Sequence, residues 1–217
     1  MIKLCVFDLD GTVANTLTTI SYFGNEALKK YGFAPFPEDR YKYFVGAGAD
    51  ALIRNMINAH SGNEIDYENV RTEYLKNYNS NSLYLTKPYD GIVEMLSTLK
   101  NMGILCVVLS NKPQIQAENV ANALFNGLLN ECFGGNEGIP LKPNPTMLNK
   151  IIEKYNVKKE ECLFIGDTKI DIETAKNADV KSVGVLWGFR NREELTKSGA
   201  DLVVTHPTEI VDFVKDN

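Results

Sequence analysis

Short apolar runs rich in Val, Ile, Leu and Phe punctuate the chain at Ile2–Phe7, Ile104–Leu109, Cys162–Ile165, Val180–Leu186 and Leu202–Val204. Runs this brief and this continuously apolar predict strands buried on both faces. A different rhythm lies between them. Ile92, Met95, Leu96, Leu99 and Met102 recur at helical spacing and stop at Gly103, and Met147, Leu148, Ile151, Ile152 and Tyr155 repeat the pattern after Asn144-Pro145, read as cap and first turn. Strand and helix patterns alternate from Tyr89 onward. This predicts an α/β, Rossmann-like fold, a mostly parallel sheet with helices on both faces and ligands bound beyond the carboxyl ends of the strands.

The alternation is interrupted from Asn15 to Lys87, where no convincing buried strand occurs and the stretches Leu17–Tyr31, Ala49–His60 and Tyr67–Asn79 read as helices. That length exceeds a crossover helix. The predicted organisation is an α/β core of residues 1–14 and 88–217 and a small all-helical cap of residues 15–87, hinged near Ala14–Thr18 and Leu83–Pro88.

Composition narrows the partners. With 217 residues, 44% hydrophobic and 24% charged, the chain has the makeup of a globular protein, and its net charge of −5 argues against nucleic acid as a partner. Cys5, Cys106, Cys132 and Cys162 show no CxxC spacing and read as reduced core residues. The start IKLCVFDLDG lacks the pattern of a secretory signal, and no apolar run approaches the ~20 residues that span a bilayer. A cytoplasmic protein without membrane contact, monomeric or homodimeric, is expected.

The residues that follow each predicted strand carry the candidate chemistry. Asp8, Asp10, Gly11 and Thr12 follow the first; Ser110, Asn111 and Lys112 follow the second; Lys142 precedes Pro143 near a helix start; Gly166, Asp167 and Asp171 follow the Cys162 strand. Four carboxylates sharing one crevice would repel and raise one another's pKa, so a cation is required. Oxygen ligands with no His or Cys beside them suit Mg²⁺ better than Ca²⁺ where room is left for waters and a phosphate. With Mg²⁺ and Lys142 set against the four, about one negative charge is left over.

In that order DLDGT, LSNKP, LKPNP and GDTKID resemble the four motifs of the haloacid dehalogenase superfamily, specifically its Mg²⁺-dependent phosphatases with a helical cap inserted after the first motif. The resemblance implies that Asp8 is the nucleophile that becomes an aspartyl phosphate. It implies that Asp10 protonates the leaving oxygen and later deprotonates water. Asp8, Asp167 and the backbone carbonyl of Asp10 would ligate the metal, with Asp171 holding its waters or outer shell. Ser110 and the Asn111 N–H would grip phosphate, Lys142 would offset charge, and Thr12 would steady the loop and donate to phosphate. The acid at Asp10 favours phosphate esters or anhydrides over the haloacids and phosphonates of other branches. The substrate class implied is a small phosphorylated metabolite; a phosphomutase or pyrophosphatase of the same architecture is the alternative.

One motif competes. VGAGADAL carries G-x-G-x-x-A at Gly46, Gly48 and Ala51, as in dinucleotide-binding loops, but the preceding DRYKYF is charged and helical, and no acid-bearing strand follows at the right distance. A glycine-rich turn before a helix, or a loop closing over substrate at Gly46, is the better reading. That stretch and the late segment VGVLWGFRNREELTKSGAD resemble the phosphoglycolate phosphatase branch. There Arg54 or Arg190 could meet a substrate carboxylate, a solvated helix face being the competing role for each. His60 and His206 fall outside the motifs and read as surface or packing residues.

Overall fold

All five apolar runs form strands in the computed structural model, which describes residues 1–217. The chain begins with β1 (Leu4–Phe7), the two-residue β2 (Ala14–Asn15) and four helices, α1 (Leu17–Lys30), α2 (Glu38–Tyr41), α3 (Ala49–Ala59) and α4 (Glu64–Asn81). It returns through β3 (Lys87–Pro88) to α5 (Ile92–Asn101), β4 (Leu105–Pro113), α6 (Gln114–Phe125), β5 (Glu131–Gly135) and α7 (Thr146–Lys154). It ends with β6 (Cys162–Gly166), α8 (Lys169–Ala178), β7 (Lys181–Val185), α9 (Arg192–Ser198), β8 (Leu202–Val204) and α10 (Pro207–Asp216).

Six strands form one parallel sheet in the order β5-β4-β1-β6-β7-β8. β1 is central: Leu4 pairs with Leu105 on one side and Cys162 on the other. Its four residues are fully buried because helices cover both faces, Cys5 and Phe7 packing with Ile92, Leu96 and Leu99 and Leu4 and Val6 with Leu148 and Ile151. Both faces of β1 therefore need apolar side chains, and the run is unbroken. The chain passes outward from β1 to β4 and β5, then crosses back to β6. This reversal sets the carboxyl ends of β1, β4 and β6 side by side.

Strand β5 is one that the hydrophobic pattern did not single out. ECFGG lies at the sheet edge, alternates between buried and half-buried positions and ends in two glycines, so it presents no apolar run. Helix α4 begins at Glu64, before the expected Tyr67, because Asn63 caps it: its side chain accepts from the N–H groups of Ile65 and Asp66, and Asp66 accepts from that of Asn63. Helix α7 starts at Thr146, with Asn144 Oδ1 accepting from its N–H at 3.0 Å.

Helices α1, α3 and α4 enclose a second core built on Ile20, Phe23, Ile53, Met56, Val70 and Tyr74, and Phe189 from beyond β7 reaches into it. The chain enters and leaves this helical unit through β2 and β3, an antiparallel pair joining Ala14 to Pro88 and Asn15 to Lys87. His60 packs against Phe36 with ring centroids 4.4 Å apart, and His206 caps α10 at the surface. All four cysteines are free and buried. No helix is long and apolar enough to cross a membrane.

Candidate active site

Asp8 follows β1, its N–H donating to the Ile165 carbonyl of β6 at 2.8 Å, which continues the ladder one residue past the strand. Asp167 follows β6, and Asp171 lies on the first turn of α8. Carboxylate oxygens of these three buried residues lie within 4.8 Å of one another. Lys142, itself buried, answers them: its ammonium lies 2.7 Å from Asp8 Oδ1 and 2.7 Å from Asp171 Oδ1.

The remaining oxygens are assigned by the backbone around them. Asp171 Oδ2 accepts from the N–H and hydroxyl of Thr168, capping α8. Asp167 Oδ2 accepts from the Phe189 N–H at 2.7 Å and its Oδ1 from the Thr12 hydroxyl at 3.2 Å. Asp8 Oδ2 has no hydrogen bond within the chain. Gly11 makes the approach of Asp167 feasible, since its φ is +90° and a Cβ there would collide with that carboxylate.

Burial, reinforced by Asp171 and Asp10 against the pull of Lys142, pushes the Asp8 carboxyl up to about 7. Asp167 is held well above the ordinary carboxylate range by burial, then by Asp171 and Asp8. Burial alone would lower the Lys142 ammonium, but Asp171 and Asp8 outweigh it and keep it charged. The cluster without a metal is thus short of positive charge. A buried set of three carboxylates, oxygen donors only, fits a hard divalent cation such as Mg²⁺, which Asp8 and Asp167 would hold.

Asp10 stands at the cleft between sheet and helical unit, where the Lys112 ammonium binds its two oxygens at 2.8 and 3.0 Å. Ser110 Oγ accepts from the Lys112 N–H at 3.2 Å, leaving its own proton free to donate. The Asn111 side chain is a strut: it accepts from the Lys142 N–H and donates to the carbonyls of Lys142 and Gly46. The cleft is lined by Asp8, Asp10 and Ser110 below and by residues of the helical unit above.

Residues 5–185 match the haloacid dehalogenase-like hydrolase family. The chain belongs to this family. Among curated relatives, a phosphoglycolate phosphatase of Vibrio parahaemolyticus is 30% identical over 98% of the chain and 96% of its own length. An N-acetylmuramic acid 6-phosphate phosphatase of Pseudomonas aeruginosa is also 30% identical, over 98% and 95%. The crystal structure of a predicted phosphoglycolate phosphatase from Haemophilus somnus superposes with a TM-score of 0.90 at 26% identity, covering 98% of this chain and 97% of that one. This haloacid dehalogenase-like protein is an enzyme, a phosphatase.

Its geometry brings Asp8, Asp10, Ser110, Asn111, Lys142, Asp167 and Asp171 to one end of the sheet. Three expectations change. The Thr12 hydroxyl, fully buried, donates to Asp167 rather than facing a phosphate, because the turn at Gly11 folds it under that carboxylate and Trp187 Nε1 ties down its carbonyl at 2.8 Å. Arg54 lies outside the cleft, paired in two bonds with Glu64 and stacked over Tyr67 at 3.8 Å. Arg190 bonds the carbonyls of Lys42 and Val45 and so fastens the sheet domain to the helical unit. Gly46 does line the cleft, in a loop with no strand before it, which removes the dinucleotide-binding reading. Lys112 stood among the candidate residues after the second strand, but no role was assigned to it. Its signal lay in the charge count, which left one carboxylate without a counter-charge.

Proposed function

We propose that this enzyme hydrolyses a small phosphate monoester with Mg²⁺ through an aspartyl phosphate, and that residues 15–87 act as a cap over the cleft. The observation that carries the reading is Asp8: one oxygen is pinned by Lys142 at 2.7 Å and the other is without a hydrogen bond in the chain, at the floor of the cleft. Asp8 Oδ2 attacks phosphorus, and the bond from phosphorus to the ester oxygen breaks. Asp10, entering the cycle protonated and turned from Lys112, gives that oxygen its proton, then regains one from the water that attacks the aspartyl phosphate, releasing inorganic phosphate and restoring Asp8. Ser110 and the Asn111 N–H hold the phosphate oxygens, while Lys142 balances charge on nucleophile and phosphate as the transition state spreads it. Asp8 and Asp167 would hold the metal, which when bound would supply positive charge to offset that of the phosphate.

Asp8→Asn keeps the shape and removes the nucleophile. Phosphate release at saturating Mg²⁺ falls at least about a thousandfold in this variant, with an unchanged circular dichroism spectrum, and a chelator abolishes release by the wild-type enzyme. Undiminished turnover in either experiment rejects the mechanism. The two relatives at 30% identity carry different substrates in their names, so overall similarity does not choose the ester.

A further inference from the structure

The upper wall of the cleft has a consistent chemistry. Ile20, Leu52 and Leu75 make it apolar, and Tyr74 and Tyr78 stack within it, ring centroids 5.2 Å apart and planes 14° from parallel. Its polar groups are neutral, the tyrosine hydroxyls and the Asn79 amide, and the Gln116 amide of α6 joins them in the lining. The one cation in the lining is Lys112, and Asp10 already occupies it. Arg54 and Arg190 are committed elsewhere, to Glu64 and to main-chain carbonyls.

Tyr78 supplies an independent observation. The residue is only 4% exposed, and its hydroxyl is buried without a hydrogen-bond partner. Its ring lies 4.9 Å from the Lys112 ammonium that grips Asp10, so the phenol stands beside the group that would protonate the leaving oxygen. A buried hydroxyl without a partner costs the free protein stability, and a ligand that pairs with it recovers that cost.

We propose that Tyr78 and Gln116 select a monoester whose leaving group is neutral, hydroxyl-bearing and apolar on one face, a polyol or sugar, against one carrying a carboxylate beside the phosphate. The inference rests on monoester hydrolysis at Asp8. A sugar or polyol lays C–H groups on the aromatic and aliphatic wall and offers hydroxyls to Tyr78 and Gln116. A carboxylate in the same place loses its water, faces Asp8 and Asp10, and finds no uncommitted cation.

The test measures phosphate release from glycerol 3-phosphate, glucose 6-phosphate and 2-phosphoglycolate at saturating Mg²⁺, with Asp8→Asn as blank. The kcat/KM of the better neutral ester exceeds that of 2-phosphoglycolate by about tenfold or more. Equal values, or a preference for 2-phosphoglycolate, overturn the selectivity and leave hydrolysis standing; release from no ester removes both. Tyr78→Phe deletes only the hydroxyl. It lowers the ratio of kcat/KM for the preferred ester to that for phenyl phosphate by about 5- to 10-fold, with a melting temperature at or above that of the wild type. A ratio that does not move overturns the role of Tyr78.

Discussion

Asp10 and Lys112 illustrate how single side chains are held ready at this site. Their carboxylate and ammonium are 13% and 5% exposed and meet through both Asp10 oxygens. Removing one partner of such a pair strands the other charge. Lys112→Met should cost about 3–5 kcal/mol in urea unfolding at pH 7, and the double variant Lys112→Met with Asp10→Asn should regain most of it. Equal stability of the single and double variants would contradict the pairing. DLDGT announced the acids, yet the two hydrogen-bond roles that distinguish them were not legible. Lys142 stands 134 residues from Asp8, and Lys112 stands 102 from Asp10. Thr12, adjacent to the motif, takes its direction from Gly11 and from Trp187 far along the chain, which local sequence does not display.

At the level of elements, buried parallel strands wrote themselves into the sequence because both faces demand apolar side chains. β5 did not, since an edge strand has fewer neighbours to satisfy, and α4 hid its first turn behind the polar residues that cap it. The cysteines belong to the strands: Cys5 to β1, Cys106 to β4, Cys132 to β5 and Cys162 to β6. Burial raises the thiols of Cys106, Cys132 and Cys162 to about 12 and that of Cys5 well above its ordinary value. At pH 8 the thiolate of a group at about 12 is roughly one part in ten thousand. The folded protein should therefore resist a disulfide reagent at pH 8, and all four thiols should react once urea unfolds the sheet. Fast labelling of the folded protein would show that a strand opens.

Over the whole molecule, the cleft is closed by a few contacts between the two units: Phe189 in the helical core, Arg190 on the carbonyls of Lys42 and Val45, and Asn111 on that of Gly46. Arg190→Ala removes one latch between the two units. It should raise KM for the preferred ester by about 3- to 10-fold with a smaller change in kcat; a kcat collapse at unchanged KM would instead link Arg190 to the chemistry.

Metal and proton compete for the same buried carboxylates. Asp8 holds its proton up to about pH 7 in the folded metal-free chain against an ordinary value of 3.8, so the folded state binds more protons between these limits and loses stability as pH rises through them. Mg²⁺ removes that penalty where Asp8 is ionised. Its rise in melting temperature should therefore be larger at pH 8 than at pH 5.5, and the reverse order in a thermal-shift titration would disprove the assignment.

By itself the sequence determined five strands of the sheet, most helices and the order of the acidic motifs, and it pointed to a cation. Those follow from local apolar patterning and from the repulsion of like charges. Only the tertiary structure decided that Lys112 answers Asp10, that Thr12 supports Asp167, that Arg54 and Arg190 leave the cleft, and that Tyr78 lines it with its hydroxyl buried and unpaired. Each of these depends on distances between residues remote in sequence, and those distances are set by how the two cores close on each other.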